Sequence, residues 1–249
     1  MSEYSSIFDA RGGHYNLANH RFPEARGEEA RAILSHFAFS PGDRPWLDVA
    51  AGGGYLADRA RAEGIDRRAI ACDASLPFLL GASAYRGRSV SQYGALPFAD
   101  ESFAGSACLA ALHHSEEPGR VFAELLRVVA PDGRAAVGDV CADSRPARFL
   151  NTFVDRHTDT GHHGRFHSAE FLRSAFVEAG GRDVRAESLD LCWRFDSRSD
   201  AIAFSRELFG LRPETPDEEI EAALIDLGLE DRDARTTLPW RMAFVSARR

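Results

Sequence analysis

Apolar residues recur along the chain in two alternating rhythms. Runs such as Trp46-Leu47-Asp48-Val49-Ala50, Ala69-Ile70-Ala71-Cys72 and residues 106–111 are short and bounded by glycine or polar turns, and they read as buried strands. Between them lie stretches of helical spacing at 55–62, 75 to about 85, and 117–130, the last stopped by Pro131-Asp132-Gly133. Residues 134–140 supply the next strand, and Ser89-Val90 begins a shorter one. Ahead of all these, residues 24–38 put Ala30, Ile33, Leu34 and Phe37 on one helical face before Ser40-Pro41-Gly42. Strands alternating with helices imply right-handed crossovers and a doubly wound, mostly parallel sheet.

After Val140 the rhythm changes. A polar segment at 151–167 precedes a helix at 168–179, which Gly180-Gly181 ends. Residues 183–195 alternate as a strand, acidic helices follow near 199–209 and 217–227, and 236–248 closes as a final strand. The pattern predicts a Rossmann-like α/β fold with seven strands and a helical cover over residues 1–42. Residues 43–249 would form the main domain, with a lid-like insertion after the fifth strand at about 143–167. Ligands in such sheets bind beyond the carboxyl ends of the strands.

Composition narrows the chemistry. All 30 residues counted as Lys+Arg are arginine, so no mechanism that needs a lysine amine is available. A formal charge of -8, with arginines interleaved among acids, offers no basic stripe for a nucleic acid. Cys72, Cys108, Cys141 and Cys192 stand apart, as reduced thiols in a cytoplasm do. The opening residues have no apolar stretch like that of a secretion signal, and no run reaches membrane-spanning length. The expected setting is cytoplasmic, as a monomer or homodimer, with a small-molecule substrate and neither nucleic acid nor membrane as partner.

The densest chemistry lies in Leu47-Asp48-Val49-Ala50-Ala51-Gly52-Gly53-Gly54 and in Cys72-Asp73-Ala74-Ser75. Glycines directly after a strand let the backbone turn sharply and approach a ligand closely. Asp73, ending the next strand, can accept both hydroxyl protons of a ribose diol. The pair points to an adenosine-type nucleotide. Gly52-x-Gly54-x-x-Ala57 also satisfies a relaxed dinucleotide fingerprint, which keeps a nicotinamide or flavin enzyme in play. Asp48 argues the other way, because a carboxylate inside that strand suits a cationic ammonium, whereas the dinucleotide strand is apolar there.

Residues 47–140 resemble the class I S-adenosylmethionine-dependent methyltransferases of the small-molecule branch that includes ubiquinone and menaquinone C-methyltransferases. The blocks that carry the resemblance are LDVAAGGG, ACDAS, ALPFADESF, ALHH and ELLRVVAPDG ahead of RAAVGDV. The resemblance implies S-adenosylmethionine as cofactor, with Asp48, Gly52 and Gly54 beside its methionine part and Asp73 on its ribose. Ala50, Ala74, Gln92, Tyr93 and Tyr15 complete the implied cofactor set. Four positions depart from the family: Gln92 stands for an adenine-binding Asp, Ala50 for the first glycine of the loop (as the quinone branch tolerates), Ala104 for the Asp of "SFD", and Asp132 for the middle Gly of "PGG".

Methyl transfer from a sulfonium is a direct displacement, so alignment supplies most of the catalysis, and a base matters only when the nucleophile arrives protonated. His113 and His114 at the end of the fourth strand, with Asp139 in the fifth, are the catalytic candidates. They match a His pair and Asp that flank the acceptor hydroxyl in similar glycoside O-methyltransferases. His20, Arg21, His162, His163 and Arg165 are candidate lid and substrate contacts, and Gly12-Gly13 a candidate hinge. His157, His162, His163 and His167 crowd into eleven residues, but their spacing matches no metal signature, and no metal is expected. The leading expectation is methyl transfer to an O, N or C nucleophile of a small molecule, with secondary metabolism as its setting. The second is an enzyme of the same fold that cleaves or cyclises the cofactor, or catalyses a rearrangement.

Overall fold

The computed structural model describes residues 3–36, 44–65, 68–82, 85–162 and 164–249. The chain opens with two helices, α1 (Glu3–Arg21) and α2 (Gly27–Ser35). Then come β1 (Trp46–Val49), α3 (Tyr55–Ala62), β2 (Ala69–Asp73), α4 (Leu76–Leu80), β3 (Gly87–Val90) and β4 (Phe103–Leu109). A single 3-10 turn (Leu112–His114) leads to α5 (Pro118–Arg127) and β5 (Val129–Val140). A bent helical stretch follows, made of α6 (Arg145–Phe149), a π turn (Leu150–Val154) and α7 (Asp155–His157). The remainder is α8 (Ala169–Glu178), β6 (Arg182–Phe195), α9 (Arg198–Phe209), α10 (Asp217–Leu227), β7 (Glu230–Arg232) and β8 (Arg235–Arg248).

The strands form one sheet in the order β3-β2-β1-β4-β5-β8-β6, and the short β7 pairs with β8 alone. The first five are parallel, and β8 runs antiparallel between β5 and β6. Strand order reverses at β1, where the chain steps outward to β2 and β3 and then back to β4. That reversal opens the crevice in which doubly wound sheets bind ligands.

Both faces are covered, which is why the central strands are mostly apolar, with Asp48 in β1 and Ser106 in β4 as buried polar exceptions. Trp46, Ala71 and Ala107 face α2 and α3 through Ile33, Leu34, Leu56 and Ala60. Leu47, Val49, Cys72 and Val137 face the other way, onto Val121, Phe122 and Leu125 of α5 and Leu172 and Phe176 of α8. Serine side chains cap α4, α6, α8 and α9, each accepting from a backbone N–H of the first turn.

Several expectations need correction. The expected N-terminal helical cover contains a 19-residue helix whose bounds the sequence did not mark, because its apolar residues follow no clean stripe. Gly12 and Gly13 lie inside this helix and are not a hinge. The helix expected at 24–38 is described over Gly27–Ser35, and 37–43 fall outside the described residues. The helix from Ser75 is shorter than expected, spanning Leu76–Leu80. The fourth strand begins at Phe103 and ends at Leu109, because Ala110 turns the chain with φ 53°. Much of the polar insertion is helical, from Arg145 to His157.

Candidate active site

The loop after β1 owes its shape to backbone geometry. Ala50, Gly52 and Gly54 have φ of 57°, 52° and 99°, and glycine tolerates such values at little cost. A Cβ on Gly52 would stand 2.5 Å from the Phe78 ring, so close approach as well as φ requires glycine there. Asp73 fixes the loop from the neighbouring strand. One carboxylate oxygen accepts the Gly52 N–H at 3.0 Å and the other accepts the Ser75 N–H at 2.9 Å.

Asp48 is 2% exposed in β1 and accepts a hydrogen bond from the Tyr85 hydroxyl. Burial pushes its carboxyl up to about 7, against the opposing pull of that hydrogen bond, and the nearby Asp73 charge adds to the rise. A cavity opens above the loop, walled by Tyr15, Asp48, Ala50, Gly52, Phe78 and Ala111. Arg26 also lines it, and sequence reasoning missed this residue. Its guanidinium is buried, bonded to Glu29 at 2.7 and 3.0 Å and to the Tyr15 hydroxyl at 2.5 Å. Glu29 in turn accepts from the Trp193 indole of β6. The only sequence signal was an Arg and a Glu three residues apart at a helix start.

Of the expected cofactor set, Tyr15, Asp48, Ala50 and Gly52 line that cavity. Gly54 caps the start of α3. Asp73 lies behind the loop through its backbone contacts, Ala74 follows it half-buried, Gln92 is exposed in the turn after β3, and Tyr93 is buried beside it. Helix α1 lies across the loop: Tyr15 meets Phe78 edge-on at 5.3 Å, and the Asn16 side chain occupies the space a Cβ on Gly53 would need.

The second half of the site grows from the ends of β4 and β5. Asp139 accepts three hydrogen bonds, from the backbone N–H groups of His113 (2.8 Å) and Val140 (2.7 Å) and from the His113 ring at 2.8 Å. Because a carboxylate only accepts, the His113 ring donates through Nδ1. His114 lies beside it with ring centroids 4.1 Å apart and the planes tilted by 44°. Burial, together with His113, His162 and Arg11, holds the His114 pKa well below the usual histidine range, so this ring is neutral.

The insertion closes over this pair. His162 is buried, lies 5.4 Å from both rings, and stacks on Phe166, which also meets the His113 ring at a tilt. The Arg165 N–H donates to the His113 carbonyl at 2.8 Å, while its side chain is exposed. His163 lies outside the described residues. His20 is exposed at the end of α1, lining a separate groove with Asn19 and Glu24, and Arg21 is ion-paired with Glu207 of α9. The remaining insertion histidines do not join the cluster: His157 bonds Glu219 and the Phe153 carbonyl, and His167 stacks on Phe171.

Residues 47–137 match the methyltransferase domain family. That stretch, 91 of the 249 residues, is similar to the domain of that family. A demethylmenaquinone methyltransferase from Renibacterium salmoninarum is 31% identical over 141 residues, which cover 55% of this chain and 58% of the relative. The chain therefore matches little more than half of that protein's length. Among solved structures, the [4+2]-cyclase SpnF is similar at a TM-score of 0.67 and 18% identity, over 100% of this chain and 97% of its own. YcgJ from Bacillus subtilis is similar at 0.61 and 19%, over 89% and 98%. At such identities the likeness is one of fold.

Proposed function

We propose that the protein transfers the methyl group of S-adenosylmethionine to an O, N or C nucleophile of a small organic acceptor. The observation that carries this reading is the pairing of opposite charges at one cavity. Asp48 and Arg26 line the same space above the glycine loop, and an amino-acid zwitterion presents an ammonium to one and a carboxylate to the other. Asp73 at the end of β2 has the chemistry for a ribose diol, and the Gly52 cradle that a Cβ would fill admits close backbone approach. When bound, the cofactor supplies a methyl group already activated by its sulfonium. The chain itself orients the two partners and excludes water, which can lower a displacement barrier by roughly 7–11 kcal/mol.

The acceptor side belongs to His113, His114 and Asp139. Asp139 fixes the His113 ring, and neutral His114 offers a lone pair to an acceptor hydroxyl where deprotonation is needed. His162 and Arg165 of the insertion, with Tyr15, His20 and Arg21 of α1, form the cover of the reading. A cytoplasmic setting, a monomer or homodimer and a role in secondary metabolism belong to it too. Among the described residues no helix is long and apolar enough to cross a membrane.

A second reading keeps the fold and drops the methylation, and the likeness to a [4+2]-cyclase favours considering it. Incubation with methyl-labelled S-adenosylmethionine and a panel of phenols, quinones and glycosides separates the two. Label in an acceptor, with S-adenosylhomocysteine formed, supports transfer. Methylthioadenosine formed without acceptor supports cofactor cleavage, and rearrangement of an acceptor with no label uptake supports the cyclase-like alternative.

A further inference from the structure

The two halves of the histidine cluster come from distant parts of the chain. Leu112–His114 follows β4, whereas His162 arrives on the insertion, where its N–H donates to Asp155 at 2.6 Å. One ring nitrogen from each of His113, His114 and His162 lies within 4.8 Å of the other two. What surrounds the rings matters as much as their proximity. The His113 Nδ1 donates to Asp139, and the His162 Nδ1 donates to the Asn151 side-chain oxygen at 3.1 Å. The Asn151 amide cannot swing away, because its oxygen also accepts from the Gly164 N–H (3.0 Å) and its nitrogen donates to the Gly164 carbonyl (2.8 Å). In both rings an outer oxygen engages Nδ1, which makes Nε2 the nitrogen suited to ligate an ion. This is the support that metal-binding imidazoles receive in proteins.

We propose that His113, His114 and His162 bind a single divalent transition-metal ion of the zinc class, leaving at least one coordination position for a ligand oxygen. Zinc sits about 2.0–2.1 Å from imidazole nitrogen and accepts three histidines with an open fourth position. Such bonds need the nitrogens roughly 3.3 Å apart, so the rings close on the ion by small rotations from their present spacing. An all-imidazole set favours zinc, copper or nickel over magnesium or calcium, which demand oxygen ligands. The Asp139 carboxylate behind His113 offsets the Arg11 guanidinium that also reaches this region.

The role of the ion rests on the proposed methyl transfer; with the ion bound, the His114 lone pair is used in coordination and the ion takes over from His114 the activation of the acceptor hydroxyl. An ion held there acidifies a hydroxyl bound to it, so the acceptor class becomes one that presents a phenol, an enol or vicinal oxygens to a metal. The ion site itself stands on geometry alone and is tested apart from turnover.

Tag-free, chelator-treated protein is titrated with Co²⁺ alone, then with Zn²⁺, and separately with Mg²⁺. The expected result is one equivalent of Co²⁺ with visible absorption bands of a low-coordinate site, displacement by Zn²⁺ and no response to Mg²⁺. His162→Ala and His114→Ala should each weaken Co²⁺ binding at least about tenfold, Asn151→Ala should weaken it by roughly 10- to 100-fold, and exposed His14→Ala should leave it unchanged. Absence of saturable one-equivalent binding to the folded wild type overturns the proposal, as does unchanged Co²⁺ affinity in folded His162→Ala and His114→Ala. S-adenosylhomocysteine affinity, measured on the same metal-free samples, reports on the cofactor reading independently.

Discussion

Asp48 sits between a tyrosine hydroxyl and a second carboxylate in a buried strand, and its proton follows from that position. With a folded value of about 7 against about 3.9 in an unfolded chain, it favours folding fully below about pH 4. That contribution is lost as pH rises to about 7 and changes no further above it. The loss is on the order of 4 kcal/mol at most. A ligand ammonium beside Asp48 favours the ionised form, so cofactor binding at pH 6 should release a proton. Calorimetry in buffers of different ionisation enthalpy checks this. The apparent binding enthalpy should vary with buffer for the wild type and not for Asp48→Asn; a buffer-independent wild type would remove Asp48 from the ammonium site. The sequence made Asp48 conspicuous as an acid in an apolar strand. Its raised pKa comes from burial and from Asp73 on the neighbouring strand, while Tyr85, a partner 37 residues away, holds the rise back, and no local pattern identifies either neighbour.

At the scale of elements, α1 packs on the glycine loop and the insertion on the histidine pair. Helix α1 is held to the glycine loop through Asn16, whose side-chain oxygen lies 1.7 Å from where a Gly53 Cβ would stand. Gly53→Ala should therefore lift α1 from the loop, and limited proteolysis within 3–21 should become several-fold faster. Trimming the opposing side chain in Gly53→Ala/Asn16→Ala should restore protection; equal cleavage in wild type and Gly53→Ala would show that α1 does not rest there. The strands and the loop could be read from the sequence because apolar runs and glycines act locally. Helix α1 could not, because it has no clean apolar stripe and is stabilised by what it covers. The histidine cluster was half legible. His113 and His114 followed a strand with Asp139 in the next, whereas His162 joins them only through Asn151 and Asp155, and spacing does not encode those contacts.

For the molecule as a whole, the buried Arg26–Glu29 pair ties the helical cover to the far edge of the sheet. Glu29 is 0% exposed and holds both the Arg26 guanidinium and the Trp193 indole of β6. Removing its charge leaves Arg26 buried without its counter-ion, a loss of about 3–5 kcal/mol. In a chain of this size Glu29→Gln should lower Tm by roughly 10 °C, as differential scanning calorimetry would record. A shift of under about 2 °C would mean that water or Tyr15 supports Arg26 without Glu29. The absence of lysine takes on meaning at this scale too. With every basic side chain an arginine, the one buried beside the cofactor cavity is a fixed cation that hydrogen-bonds in several directions at once.

The central claim is that the crevice beyond β1 and β2 binds S-adenosylmethionine. Titration of the purified protein with S-adenosylhomocysteine tests it most directly, using wild type and Asp73→Asn, which keeps an acceptor oxygen for the loop. The account predicts one saturable site in the wild type, at least about tenfold weaker binding in Asp73→Asn, and no competition from a nicotinamide dinucleotide. Wild-type protein that ignores S-adenosylhomocysteine, or an Asp73→Asn variant that binds it with full affinity, would contradict it.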